Sequence, residues 1–128
     1  MLDTNVLIEA EQTALHLDQL IADDDEPAVA AITIAELGVG VEIATGRRAE
    51  TRRSFLEDVL ATLPILDYDL AVARAHTALL LAVRRSGRPR GAHDLIIAAT
   101  ARASGRTVVT ADLGGFTDLP GVTVRAPD

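Results

Sequence analysis

The chain has 128 residues, 48% of them apolar and 24% charged, with a formal net charge of −7; this suits one domain over residues 1–128 with a single buried core and argues against disorder. It contains neither cysteine nor lysine, its 12 basic residues all being arginine, which excludes disulfides, thiolate metal sites, the phosphate-binding lysine of a P-loop and Schiff-base chemistry. The longest uninterrupted apolar run, Ala78 to Val83, falls far below the roughly 20 residues that span a bilayer, no basic leader precedes an apolar stretch, and a cytoplasmic location is expected.

Strand and helix signals alternate along the chain. Met1-Leu2 is the stub of a first strand ending at Asp3-Thr4-Asn5, followed by a helical stretch through Leu15, Leu17, Leu20 and Ile21. The acidic run Asp23 to Glu26 reads as a solvated loop before Pro27. Ala28 to Ile32 is continuously apolar, as befits a strand covered on both faces. Thr33 is placed to cap a helix carrying Ile34, Leu37 and Val41. Arg47 to Leu63 is amphipathic, with Phe55, Leu56, Val59 and Leu60 inward, and Pro64 stops it before the short strand Ile65-Leu66. A long helix runs over Asp69 to Arg85, with Asp67 or Asp69 as its cap. The loop Gly87 to Gly91 leads to a helix over Ala92 to Ala103, closed by Gly105 as a left-handed cap. Thr107 to Thr110 and Val122 to Val124 read as strands. Strands alternating with helices predict an α/β fold with a mainly parallel sheet.

Ligands of such sheets bind beyond the carboxyl ends of the strands. Four acids are expected there: Asp3 after the first strand, Glu36 in the helix after the second, Asp94 opening the Ala92–Ala103 helix, and Asp112 just beyond Thr110. Each also has a plainer reading. Asp3 can cap the helix at Thr4, Thr33 and Glu36 form a capping-box pattern, Asp94 complements a helix dipole, and Asp112 suits a turn. Gathered together, four carboxylates repel unless a cation is present, and oxygen donors without His or Cys partners suit Mg²⁺ or Mn²⁺ rather than zinc. His93 is expected to point away from the cleft and His76 to be a satisfied core or interface histidine. The small-residue faces around Gly38, Gly40 and Ala71 to Ala75 suit helix packing or plain core burial.

At Asp3-Thr4-Asn5, Thr33-Ile34-Ala35-Glu36-Leu37, Gly91 to Ala101 (GAHDLIIAATA) and Val109-Thr110-Ala111-Asp112, the chain resembles the PIN-domain ribonucleases, and more narrowly the VapC-type toxins of bacterial toxin–antitoxin pairs. The resemblance implies a three-layer α/β/α sandwich around a five-stranded parallel sheet. It implies Mg²⁺- or Mn²⁺-dependent endonucleolytic cleavage of RNA, with Asp3, Glu36, Asp94 and Asp112 as the catalytic, metal-holding acids. Asn5 and Thr110 match positions that support the site by hydrogen bonding. A VapB-like antitoxin and a toxin homodimer are further implications. With only Met1 and Leu2 ahead of Asp3, the first strand is expected to be short. RNA phosphates would be met by arginine, either Arg47, Arg48, Arg52 and Arg53 or, preferred because their loop delivers Asp94, Arg88 and Arg90. The alternative is a catalytically silent PIN-like module whose acidic pocket binds a basic partner peptide.

Overall fold

The computed structural model describes residues 1–20 and 26–127; most of the acidic run, Asp23 to Asp25, lies outside them together with Ile21. In chain order the elements are α1 (Thr4–Gln12), β1 (Val29–Ala30), α2 (Ala31–Ile43), α3 (Gly46–Thr62), β2 (Ile65–Leu66), α4 (Leu70–Ser86), α5 (Ala92–Ala103), β3 (Val108–Val109) and β4 (Val124–Arg125). Two 3-10 turns, Leu17–Leu20 and Leu113–Gly115, complete them.

β1 pairs in parallel with β2, Val29 opposite Ile65, and β3 pairs in parallel with β4, Val108 opposite Val124. Between the two ladders lies the Met1–Asp3 segment. Leu2 N donates to Ala28 O (2.9 Å), Val109 N to Met1 O (2.8 Å) and Asp3 N to Val109 O (2.9 Å). Five extended segments therefore stand side by side, with the amino-terminal one at the centre. Where a five-stranded sheet was expected, the described residues form two two-stranded parallel ladders joined through the amino-terminal segment, whose own pairing is a single parallel bridge between Leu2 and Val109. The other strands are two residues each: Ile65-Leu66 is as expected, while Val29–Ala30 and Val108–Val109 are shorter than their apolar runs suggested.

Alternation along these strands builds three layers, because successive side chains leave a strand on opposite faces. Met1, Ala30, Leu66 and Val108 pack with Val72 and Leu79 of α4 and Leu95, Ile97 and Ala98 of α5. Their neighbours Leu2, Val29, Ile65 and Val109 pack with Leu7 of α1, Leu37 of α2 and Val59 of α3. Phe116 fills the first of these cores, fully buried, and a side chain of that kind contributes about 1.5–3 kcal/mol by burial.

Several boundaries differ from expectation for local reasons. The helix after Asp3 stops at Gln12, where Ala14 turns left-handed (φ +56°) and Leu15 N donates back to Ala10 O at 2.9 Å, a helix-ending pattern of two back-bonds. α2 starts at Ala31, capped by the backbone of Ala30 alone, so Thr33 lies inside the helix instead of capping it. Leu60 faces solvent at 47% exposure while Val59 is fully buried. The last strand begins at Val124 rather than Val122. Other expectations are met. Asp69 Oδ1 accepts from Val72 N (2.9 Å) to cap α4, and Gly105 closes α5 at φ +68°.

Candidate active site

Asp3 is the most buried of the four acids and the most tightly held. It ends the first extended segment and caps α1, its Oδ1 accepting from Thr4 N at 2.8 Å. Its Oδ2 accepts from the hydroxyl of Thr110 at 2.8 Å. The same hydroxyl oxygen accepts from Asp112 N at 2.9 Å. One fully buried threonine at the end of β3 thus ties Asp3 to the segment that carries Asp112. The capping and clustering readings of Asp3 hold together.

Glu36 joins from α2 through a second hydroxyl pair. Thr33 and Glu36 are three apart, so they share a helix face. Both meet Thr4, whose hydroxyl donates to Glu36 Oε1 (2.8 Å) and shares a hydrogen bond with the Thr33 hydroxyl (3.0 Å). Here lies the physical reason Thr33 is no cap: its hydroxyl is spent across the interface with α1. On its outer side Glu36 Oε2 stands 3.4 Å from His93 Nδ1. His93 therefore borders the cleft, contrary to the expectation that it points away.

Asp94 and Asp112 are placed by close backbone approach. Asp94 lies in the first turn of α5 and folds over its capping residue, so a Cβ on Gly91 would stand 3.0 Å from Asp94 Oδ2. A Cβ on Gly115 would stand 3.0 Å from Asp112 Oδ2 and 3.3 Å from Asp94 Oδ2. Both carboxylates thus rest against one glycine that has no side chain to separate them. Asp112 is exposed and Asp94 half-buried.

The four charges act on one another. Burial raises the Asp94 carboxyl above the ordinary carboxylate value, and the charges of Asp3, Asp112 and Glu36 raise it further, while His93 opposes them. Burial also raises Asp3; the Thr110 and Thr4 hydrogen bonds pull it back, and the charges of Glu36 and Asp112 push upward again. Acids from four separate stretches of the sequence therefore share one electrostatic site.

The remaining expected residues make contacts of their own. Arg88 pairs at the surface with Asp118 (3.6 Å). The guanidinium of Arg90 donates to two backbone carbonyls, Gly115 O (3.1 Å) and Thr117 O (2.7 Å). In the other arginine group, Arg52 donates to Gly40 O at 2.7 Å and ties α3 to α2. His76 bonds the Tyr68 hydroxyl at 2.8 Å near the surface.

Comparison with known proteins sets this geometry in a family. Residues 1–121 match the model of the PIN domain. The chain belongs to the PIN-domain family. The plasmid stability protein StbB of Pseudomonas syringae pv. tomato is 35% identical, covering 99% of this chain and 96% of its own. The tRNA(fMet)-specific endonuclease VapC of Salmonella typhimurium is 32% identical over 98% of this chain and 95% of its own. The crystal structure of VapBC2 from Rickettsia felis, bound to a DNA fragment from their promoter, matches with a TM-score of 0.86 at 28% identity. That match covers 100% of this chain and 98% of that one.

In this PIN domain the donors at the site fit a hard divalent cation. They are carboxylates without sulfur, two of them carry raised affinities for protons, and the buried Asn5 Oδ1, in the first turn of α1, has no hydrogen-bond partner among the described residues. Among those residues no three His, Cys, Asp or Glu side chains already form a metal-holding group. Thr4, Gly91 and Gly115 were not singled out by sequence reasoning. Thr4 offered one signal, a hydroxyl directly after the first acid; the glycines offered their places beside Asp94 and near Asp112.

Proposed function

We propose that this PIN domain is a divalent-metal-dependent endoribonuclease and the toxin of a toxin–antitoxin pair. One observation carries the reading: in a single cleft burial, and then the charges of Glu36 and Asp112, raise the hold of Asp3 and Asp94 on protons, a state that a divalent cation relieves. Kinship with a relative named as a tRNA(fMet)-specific endonuclease and with a VapBC complex supports RNA as substrate and a VapB-like antitoxin as partner. A homodimer of the toxin belongs to the same reading. Exposed apolar side chains at Val39, Ile43, Leu70 and Leu81 leave surface for both partners. No described helix is long and apolar enough to cross a membrane.

In this reading Asp3, Asp94 and Asp112 hold Mg²⁺ or Mn²⁺, with Glu36 completing the set. When bound, the ion supplies Lewis acidity toward phosphoryl oxygens and acidifies water. Glu36, fixed at Oε1 by Thr4 and facing His93 at Oε2, orients the attacking water and takes up its proton at that oxygen. Thr110 keeps both Asp3 Oδ2 and the Asp112 backbone in place. Asn5 supplies a second polar group from the first turn of α1. Arg88 stands at the surface to meet RNA phosphate, its exposed pair with Asp118 being weak.

The test is RNA cleavage by the parent chain and by Asp3→Asn, with Mn²⁺ titrated and EDTA as control. We expect EDTA to abolish cleavage and the substitution to lower it by at least about a hundredfold. Equal turnover by the variant, or cleavage that survives EDTA, overturns the reading. Absence of cleavage with retained binding of a basic peptide supports a catalytically silent module instead.

A further inference from the structure

We propose that Arg90 is a positioning residue: it clamps the Leu113–Gly115 turn to the start of α5 and so sets how far apart the Asp94 and Asp112 carboxylates stand. The proposal rests on the metal-dependent reading of the acid cluster and gives Arg90 a task within it.

Arg90 sits at the end of the loop before α5, next to Gly91, over which Asp94 folds. Its Nη1 donates to Gly115 O (3.1 Å) and its Nη2 to Thr117 O (2.7 Å). Two donors of one planar fork, one on the turn's last carbonyl and one on the carbonyl two residues beyond it, fix orientation as well as distance, which a lysine cannot reproduce. Gly115 is the decisive neighbour. Its carbonyl is gripped by Arg90, and the place of its missing side chain faces Asp112 Oδ2 at 3.0 Å and Asp94 Oδ2 at 3.3 Å. Gly115 N also donates to Asp112 O (3.2 Å), so a swing of the turn carries the Asp112 side of that gap with it.

The turn needs such a restraint. Leu113 and Gly114 are exposed, and the turn's anchor in the core is Phe116, just beyond it. Two like charges beside one glycine drive the turn outward, toward water. A further polar link between these segments, Arg88 to Asp118 at 3.6 Å, is exposed on both sides and therefore weak. Arg90 is half-buried, and its bonds go to backbone that no substitution of a neighbouring side chain removes.

The experiment compares full-length parent, Arg90→Ala and Arg90→Lys by three readouts. In metal-free protein, amide hydrogen exchange over residues 113–117 is expected to quicken about tenfold or more in Arg90→Ala, with Val108 and Val109 unchanged. Mn²⁺ affinity measured by calorimetry is expected to fall about 10–100-fold. KM for RNA is expected to stay within about twofold while kcat at limiting Mn²⁺ falls, and added guanidinium is expected to restore part of both losses. Arg90→Lys should lie between, and it carries the same comparison should the alanine variant fail to fold. Parent-like exchange, or faster exchange with parent-like Mn²⁺ affinity, overturns the proposal. A raised KM with a salt slope of RNA binding reduced by about one also overturns it, and makes Arg90 a phosphate contact. A parent chain that neither binds Mn²⁺ nor cleaves RNA overturns the metal-dependent reading itself, and the exchange arm then still reports whether Arg90 holds the turn.

Discussion

Asp3 and Glu36 are held by hydroxyls that the core buries, whereas Asp94 and Asp112 rest against backbone that glycine alone allows so near. Thr110 and Thr33 are fully buried, and Thr4 nearly so, and among them they make side-chain bonds to both acids of the first half. The second half has Gly91 and Gly115 where the first has threonines. A buried hydroxyl fixes its carboxylate through a directed bond whose loss leaves an unsatisfied group in the core. A glycine fixes nothing by itself; it permits an approach that the surrounding loops must enforce. The first half should therefore fail through stability and activity together, and the second through activity alone.

The largest expected effect tests whether the halves serve one site. Asp94→Asn keeps the shape of the side chain and removes its charge, so RNA cleavage should fall at least about a hundredfold at every Mn²⁺ concentration. Kinetics of the purified variant measure it. Cleavage within a few-fold of parent would mean that the second half stands outside the chemistry.

Next comes the hydroxyl that joins them. Thr110→Val removes the donor to Asp3 Oδ2 and the acceptor for Asp112 N inside the core. Mn²⁺ affinity should drop about 10–100-fold, and unfolding free energy by about 1–3 kcal/mol. Denaturant melts and calorimetry report the two losses separately, and Thr110→Ser should recover most of both.

The glycine side gives a smaller and cleaner effect. Gly115→Ala places a methyl 3.0 Å from Asp112 Oδ2 and 3.3 Å from Asp94 Oδ2. The exposed turn can yield, so stability should change by no more than about 0.5 kcal/mol, while cleavage falls several-fold as the carboxylates part. Gly114→Ala is the control, since its nearest contact is Asp112 Oδ1 at an ordinary 3.7 Å. Equal activity for the two variants would show that the gap between Asp94 and Asp112 is not critical.

The same contrast separates what was legible in the sequence from what was not. α5 was readable to the residue because Gly91 and Gly105 bracket an unbroken apolar face. α4 was readable from its cap, Asp69. The positions of Asp3, Asp94 and Asp112 were readable because each follows a strand or opens a helix, and that of Glu36 because it lies in the helix after a strand, a matter of order along the chain. Thr33 was misread because a threonine before an apolar run is an ordinary cap, and only the packing of α1 on α2 turns its hydroxyl toward Thr4. His93 was misread because one helical position decides whether it meets Glu36, and the tilt of α5 against α2 is a tertiary property. The grip of Arg90 on Gly115 and Thr117 spans more than twenty residues and uses backbone acceptors, which leave no mark in composition or spacing. Strand length was equally hidden, since apolar runs record burial and not where a ladder ends.

The smallest expected effect is also the one in which the halves should diverge in stability. Asp3 and Asp94 both bind protons more tightly in the folded chain than a free carboxyl does, burial being the first cause in each case. Between the ordinary carboxyl value and the raised one, the native state holds more protons than the unfolded state. Without metal, stability therefore falls as pH rises through that window, and the loss persists at neutral pH. Asp94→Asn removes one of the repelling charges, so in EDTA at pH 7 its Tm should exceed that of the parent by about 2–6 °C. The gap should close as pH falls below the ordinary carboxyl range, where the parent is protonated too, and should narrow at pH 7 when Mn²⁺ is added to the parent. Asp3→Asn should gain nothing of the kind. Its amide offers one oxygen where Thr4 N and the Thr110 hydroxyl each donate to a carboxylate oxygen, and an unmatched donor in the core offsets the relief of charge. Thermal melts of the three proteins across pH 3 to 8 in EDTA decide it: parallel curves for Asp3→Asn and Asp94→Asn would mean that charge, and not the mode of support, governs both halves alike.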